Sequence, residues 1–115
     1  MNKEDSIQSG LCLRLYLSES DHIDHVPALE AILQLCKDAG LHGVSVMRGI
    51  EGLGKHGIHS VSFLSLSSSL PLIVEVVASK SEIEHAIQVI QPKLTHATIV
   101  TWDIQMIQVQ GHNHP

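Results

Sequence analysis

The octapeptide Gly49-Ile50-Glu51-Gly52-Leu53-Gly54-Lys55-His56 comes within one residue of a phosphate-binding P-loop. That motif needs G-x-x-x-x-G-K followed by Ser or Thr, because backbone amides and the lysine hold phosphates while the hydroxyl holds Mg²⁺. His56 stands where the hydroxyl belongs. What remains is the chemistry of anion recognition. Gly49, Gly52, Gly54 and Gly57 let backbone come close to a ligand and take positive φ, and Arg48 and Lys55 can meet anionic groups through charge-assisted hydrogen bonds. His56 sits in the loop itself, where it is either a ligand contact or an ordinary exposed residue.

Histidine offers a second chemistry. Nine occur in 115 residues, and His22 with His25, His56 with His59 and His112 with His114 fall in pairs. Imidazole suits Zn²⁺, Cu²⁺ and Ni²⁺, but no pair has a third ligand at a recognised spacing and H-E-x-x-H is absent. Asp21 and Asp24 flank the first pair, leaving a metal reading beside that of polar residues near a helix start; the tail pair can chelate adventitiously. Full protonation would add nine positive charges to a chain of formal charge −5, which would alter a partner interface. No Ser/His/Asp or Cys/His set and no paired carboxylates in a recognisable motif point to catalysis, so the chain is not expected to be an enzyme.

Composition narrows the field. Residues 1–110 read as one domain, since no Pro-, Gly- or charge-rich linker interrupts them. The apolar share is 43% but aromatics are only 3%, so the core must be aliphatic. The formal charge of −5 with few scattered cations argues against a surface that tracks phosphates of nucleic acid. The opening MNKEDSIQSG has no apolar h-region and no later run approaches membrane-spanning length, so a cytoplasmic protein is expected. Cys12 and Cys36, far apart, read as reduced buried thiols.

These residues need elements to position them. Leu11, Leu13, Leu15 and Leu17 alternate with Cys12, Arg14 and Tyr16, the period of a half-buried strand. Val26, Leu29, Ile32, Leu33 and Cys36 then share a helix face, with Asp24 as expected N-cap and Gly40 as stop. GVSVMRGI restores alternation and runs into the glycine segment, near 51–60, which returns towards extended sequence instead of opening a helix. A phosphate there meets no helix dipole, so the P-loop reading falls.

Val61 to Leu66 reads as extended, Ser67 to Ser69 as a turn and Leu72 to Ala78 as a central strand, in which Glu75 is either a paired structural carboxylate or a ligand-facing group. Ser79-Lys-Ser-Glu82 has capping-box spacing before a helix carrying Ile83, Ala86, Ile87, Ile90 and Leu94, with its last turn disturbed by Pro92. Thr95 to Val109 reads as one bent strand or two short ones, and 111–115 as a disordered, His-containing tail. The order is βαββαβ, the ferredoxin-like α+β sandwich: an antiparallel sheet with two helices on one face. The other face needs a cover, for which a second subunit is expected.

The run VSVMRGIEGLGKHGIH resembles the end of the second strand and the start of the T-loop in PII signal-transduction proteins, and LPLIVEVVASKSEIEHAI resembles the strand and helix that follow. The match is most specific to a PII-like sub-family of uncharacterised function, in Leu13-Arg14, Glu19-Ser20-Asp21, Arg48 to Gly54 and Leu70 to Val76. The resemblance covers roughly residues 11 to 109. It implies a homotrimer that binds a small effector, such as ATP, ADP or AMP, in clefts between subunits and signals through its T-loop to a transporter, channel or enzyme. The ligand-binding residues it suggests are Arg48, Gly49, Gly52, Gly54, Lys55, His56 and Lys93. It implies no cofactor. The family's phosphate-holding segments correspond to QPKLTHAT and DIQMIQVQ, in which Lys93 is the one Lys or Arg, which points to a less charged or differently oriented ligand than in the PII proteins. With no Tyr in the loop, tyrosine nucleotidylylation is unavailable. The alternative is a divalent-metal-binding protein akin to the trimeric cation tolerance proteins of similar topology.

Overall fold

The computed structural model describes residues 6–49, 51–54, 57–60 and 70–111, with backbone only for 51–60. β1 (Ser6–Ser18) begins five residues before the leucine alternation and buries Leu11, Leu13, Leu15 and Leu17 on one face. It ends in a miniature hairpin, β2 (His22–Ile23) and β3 (Val26–Pro27). Asp24 at φ 50° and His25 at φ 68° form its turn in the left-handed region, which Asp and His visit more readily than most side chains. Asp24 therefore does not cap the helix, contrary to the expectation from sequence.

Helix α1 (Ala28–Asp38) starts after Pro27, with no side-chain cap. The Ala28 N–H instead donates to the Asp21 carbonyl at 2.8 Å, so one of the helix's orphan donors is satisfied by backbone. The expected stop at Gly40 is present. Gly40 (φ 77°) donates to Lys37 O and Leu41 to Cys36 O, each at 3.0 Å, a Schellman ending with Leu41 buried against the core.

β4 (Val44–Arg48) follows, then a two-stranded ribbon of β5 (Glu51–Gly54) and β6 (Gly57–Ser60). The segment read as a glycine loop is thus paired β structure, with Gly52 opposite His59 and Gly54 opposite Gly57. The expected extended run Val61 to Leu66 and the turn at Ser67 to Ser69 lie outside the described residues.

β7 (Pro71–Ala78) alternates buried Leu72, Val74 and Val76 with more exposed residues. Ser79 and Glu82 close the expected capping box and open α2 (Lys80–Ile90), which ends in one 3₁₀ turn, Gln91–Lys93. β8 (Thr98–Gln108) is a single strand, not two. It pairs with β1 along its whole length, Asp103 opposite Leu11.

The main sheet has the order β4-β7-β1-β8, every pair antiparallel, which is the ferredoxin-like arrangement. Both helices pack on the leucine face: Ile32 and Cys36 of α1 and Ile83, Ala86 and Ile90 of α2 join Leu13, Leu15, Val74 and Val76 in one core. The opposite face carries Tyr16, Met47, Val77, Val100 and Trp102, all exposed. In its centre Arg14 donates from Nε to Glu75 at 2.9 Å and lies 5.4 Å from the Trp102 ring centroid. Glu75 is accordingly a paired carboxylate.

Candidate functional site

Three motifs that are far apart in sequence meet at one end of the sheet. Pairing continues until Ser18 of β1 lies opposite Pro71 and Arg48 of β4 opposite Leu72. Just beyond, the Glu19 N–H donates to the Leu70 carbonyl at 2.9 Å, and the Gly49 N–H to the Pro71 carbonyl at 2.8 Å. The described residues that flank the β5–β6 ribbon in sequence are therefore joined in a root built from residues 19, 48–49 and 70–71.

The side chains reinforce that root. Arg48 Nη2 pairs with Glu19 Oε1; the arginine side chain is 60% exposed and the glutamate 17%. The other carboxylate oxygen, Glu19 Oε2, is buried and has no hydrogen-bond partner among the described residues. Asp21 completes the turn: its Oδ2 accepts from the Ser18 N–H at 2.9 Å while its own N–H donates to Ser18 O at 3.0 Å. Two acids within three positions of the strand end thus do separate work, Glu19 pairing with Arg48 and Asp21 joining β1 to α1.

On the helix side of the same sheet end lies a hollow of about 50 Å³, lined by Leu17, Asp21, His22, Lys93, Thr95 and His96 among others. Leu17 pairs with Leu72, which pairs with Arg48, so Arg48 stands two strand spacings, about 10 Å, from the Leu17 wall of the hollow. Glu19 lies in sequence between the lining residues Leu17 and Asp21.

The expected ligand residues divide accordingly. Arg48 and Gly49 stand at the root, Gly52 and Gly54 in strand β5, and Lys93 at the exposed end of the 3₁₀ turn beside the hollow. Lys55 and His56 lie outside the described residues. Glu19 was not among the expected site residues. Its signal was an acid directly after β1, where a cation just before the ribbon needed a partner.

For the metal reading, His22 Nδ1 lies 2.8 Å from the Ser20 carbonyl and His25 turns the miniature hairpin. Among the described residues, no group of three or more His, Cys, Asp or Glu is placed to hold an ion. His112 and His114 are outside them. No described helix is long and apolar enough to cross a membrane.

A ferredoxin-like sheet with helices on one face and a β-ribbon rooted between its second and third long strands is the architecture of the PII-like proteins. The chain is similar in fold to a nitrogen regulatory PII-like protein, CPII, from Thiomonas intermedia K12, whose structure was solved bound to ADP, AMP and bicarbonate. The TM-score is 0.68 at 16% identity, covering 88% of this chain and 91% of that one. It is also similar to GlnK of B. subtilis in complex with ATP, with TM-score 0.55 and 16% identity over 84% of this chain and 82% of that one. The chain belongs to the DUF190 family, described as "Uncharacterized ACR, COG1993", whose model matches residues 10–106. A UPF0166 protein of Aquifex aeolicus (strain VF5) is 32% identical over 97 residues, 83% of this chain and 90% of that protein.

Proposed function

We propose that this protein is a PII-like regulator, not an enzyme, that binds an anionic small effector, an adenine nucleotide, at the root of its β-ribbon. The observation that carries the reading is the position of Arg48. Its side chain is more than half exposed, and the residue stands at the end of β4, immediately before the segment that carries the β5–β6 ribbon. Arg48 supplies a charge-assisted contact to phosphate, Gly52 and Gly54 allow close backbone approach, Gly49 holds the root against Pro71, and Lys55, His56 and Lys93 complete the ligand set. The ADP, AMP and ATP bound by proteins of the same fold make adenine nucleotides the first effectors to test.

The assembly that fits this reading is a homotrimer. The uncovered sheet face, with Tyr16, Met47, Val77, Val100 and Trp102 exposed, is the surface such an assembly would cover, and the effector clefts would lie between subunits. The ribbon then reports occupancy to a protein target, such as a membrane transporter, in the cytoplasm. Calorimetric titration of metal-stripped protein with ATP, ADP and AMP tests the proposal. Saturable binding that Arg48→Ala weakens is the expected result; no heat of binding at millimolar nucleotide would overturn it.

A further inference from the structure

We infer that Glu19 is an internal competitor for the effector: it latches Arg48 in the ligand-free protein, and an anion arriving at Arg48 must displace it, which loosens the ribbon's root. This deepens the proposed function and rests on it for the identity of the anion. Glu19 touches both flanks of the ribbon-bearing segment, Arg48 before it through the side-chain ion pair and Leu70 after it through its N–H to the Leu70 carbonyl at 2.9 Å, beside the backbone bond from the Gly49 N–H to the Pro71 carbonyl. The backbone bonds from Glu19 to Leu70 and from Gly49 to Pro71 persist whatever the side chain does, so the ion pair is the switchable part of the root.

The latch is also poised for release. Glu19 Oε2 is buried with no partner among the described residues, and a desolvated carboxylate oxygen left unpaired opposes the closed arrangement that the ion pair favours. When the carboxylate swings out, that oxygen regains water. A phosphate oxygen can replace Glu19 on the guanidinium with equal charge complementarity, while Arg48, already largely exposed, stays in place. Differential affinity of the anion for the unlatched state is what shifts the equilibrium.

Glu19→Gln removes the charge with little change of shape, and two measurements on the full chain test the latch. The first is amide hydrogen exchange without ligand. The amides of residues 49–54 and 57–60 exchange about fivefold faster in Glu19→Gln than in wild type, the scale of a partly exposed ion pair, while those of Leu13 to Leu17 do not change. In an Arg48→Ala background the substitution has no further effect on the ribbon. Unchanged exchange, or an effect of Glu19→Gln that persists without Arg48, would overturn the latch, and neither result depends on any nucleotide. The second is ATP titration of both proteins. Glu19→Gln binds about fivefold more tightly; equal affinities would overturn the competition while leaving the nucleotide reading intact. Failure of both proteins to bind ATP would instead overturn the nucleotide reading and the competition, with the exchange result still deciding whether Glu19 restrains the ribbon.

Discussion

Gly49 crosses Pro71 so closely that its N–H reaches the Pro71 carbonyl at 2.8 Å, and a β-carbon at Gly49 would stand 2.5 Å from the proline Cγ. Any side chain there must push the end of β4 away from the start of β7, and with it the root of the ribbon. Gly49→Ala is expected to destabilise the fold by about 1–3 kcal/mol, the usual range for overpacking, read from the urea midpoint. Gly111, around which an added β-carbon meets nothing within 4 Å, is the control: Gly111→Ala leaves the midpoint unchanged.

The N-terminus of α2 gives a second, pH-dependent prediction. Ser79 Oγ accepts from the Glu82 N–H, and the Glu82 carboxylate accepts from the Ser79 hydroxyl at 2.6 Å and from its N–H at 3.3 Å. These bonds hold the Glu82 carboxyl below its ordinary 4.5. A depressed carboxyl stabilises the fold above its unfolded pKa, and that contribution is lost as pH falls through the folded value. Ser79→Ala should cost about 1 kcal/mol at neutral pH. The stability difference between wild type and Glu82→Gln should be full at pH 7 and vanish in acid, as thermal unfolding across pH would show.

Cys36 supplies the opposite sign. Its side chain is enclosed between α1 and the sheet, and burial pushes the thiol above its ordinary 9.0. The folded state therefore favours the neutral thiol. Stability from this group is complete below pH 9 and declines as pH rises through the raised value. In the native protein at neutral pH Cys36 should resist a thiol reagent and react fully in denaturant, whereas Cys36→Ser should lose this group's share of the alkaline dependence and keep that of Cys12, whose thiol is also raised by burial.

Trp102, the chain's one tryptophan, lies on the uncovered sheet face with the Arg14 guanidinium 5.4 Å from its ring. If copies of the chain cover that face, sedimentation gives a trimer mass and Trp102 emission shifts to the red on dilution. Trp102→Asp should then sediment as a monomer. A monomer mass for wild type would remove the proposed inter-subunit clefts.

Much of this fold was legible locally. The β1 leucines announced their strand because alternation and burial share a period of two, and Ser79 with Glu82 announced α2 because a capping box is complete within four residues. Gly40 marked the end of α1 for a comparable reason. Asp24 misled because an Asp before an apolar run is equally suited to a left-handed turn, and the β2–β3 turn uses it that way. The ribbon was hidden because Gly52 opposite His59 and Gly54 opposite Gly57 show neither alternation nor β-branching, so its pairing rests on backbone bonds that leave no pattern. The site was half legible. Arg48 and Gly49 stood out by type, but the Glu19–Arg48 pair joins positions that only the β4-β7-β1 order brings together, and no spacing rule reaches that far.

The measurement that tests the central claim most directly is the exchange footprint of bound nucleotide on the wild-type protein. Amide hydrogen exchange is compared with and without saturating ATP across the whole chain. Binding at the ribbon root changes exchange at Arg48 to Gly54, at Glu19 and at Leu70, with a smaller change at Lys93 to Ala97. A footprint confined to other segments, with those amides unaltered, would contradict the account.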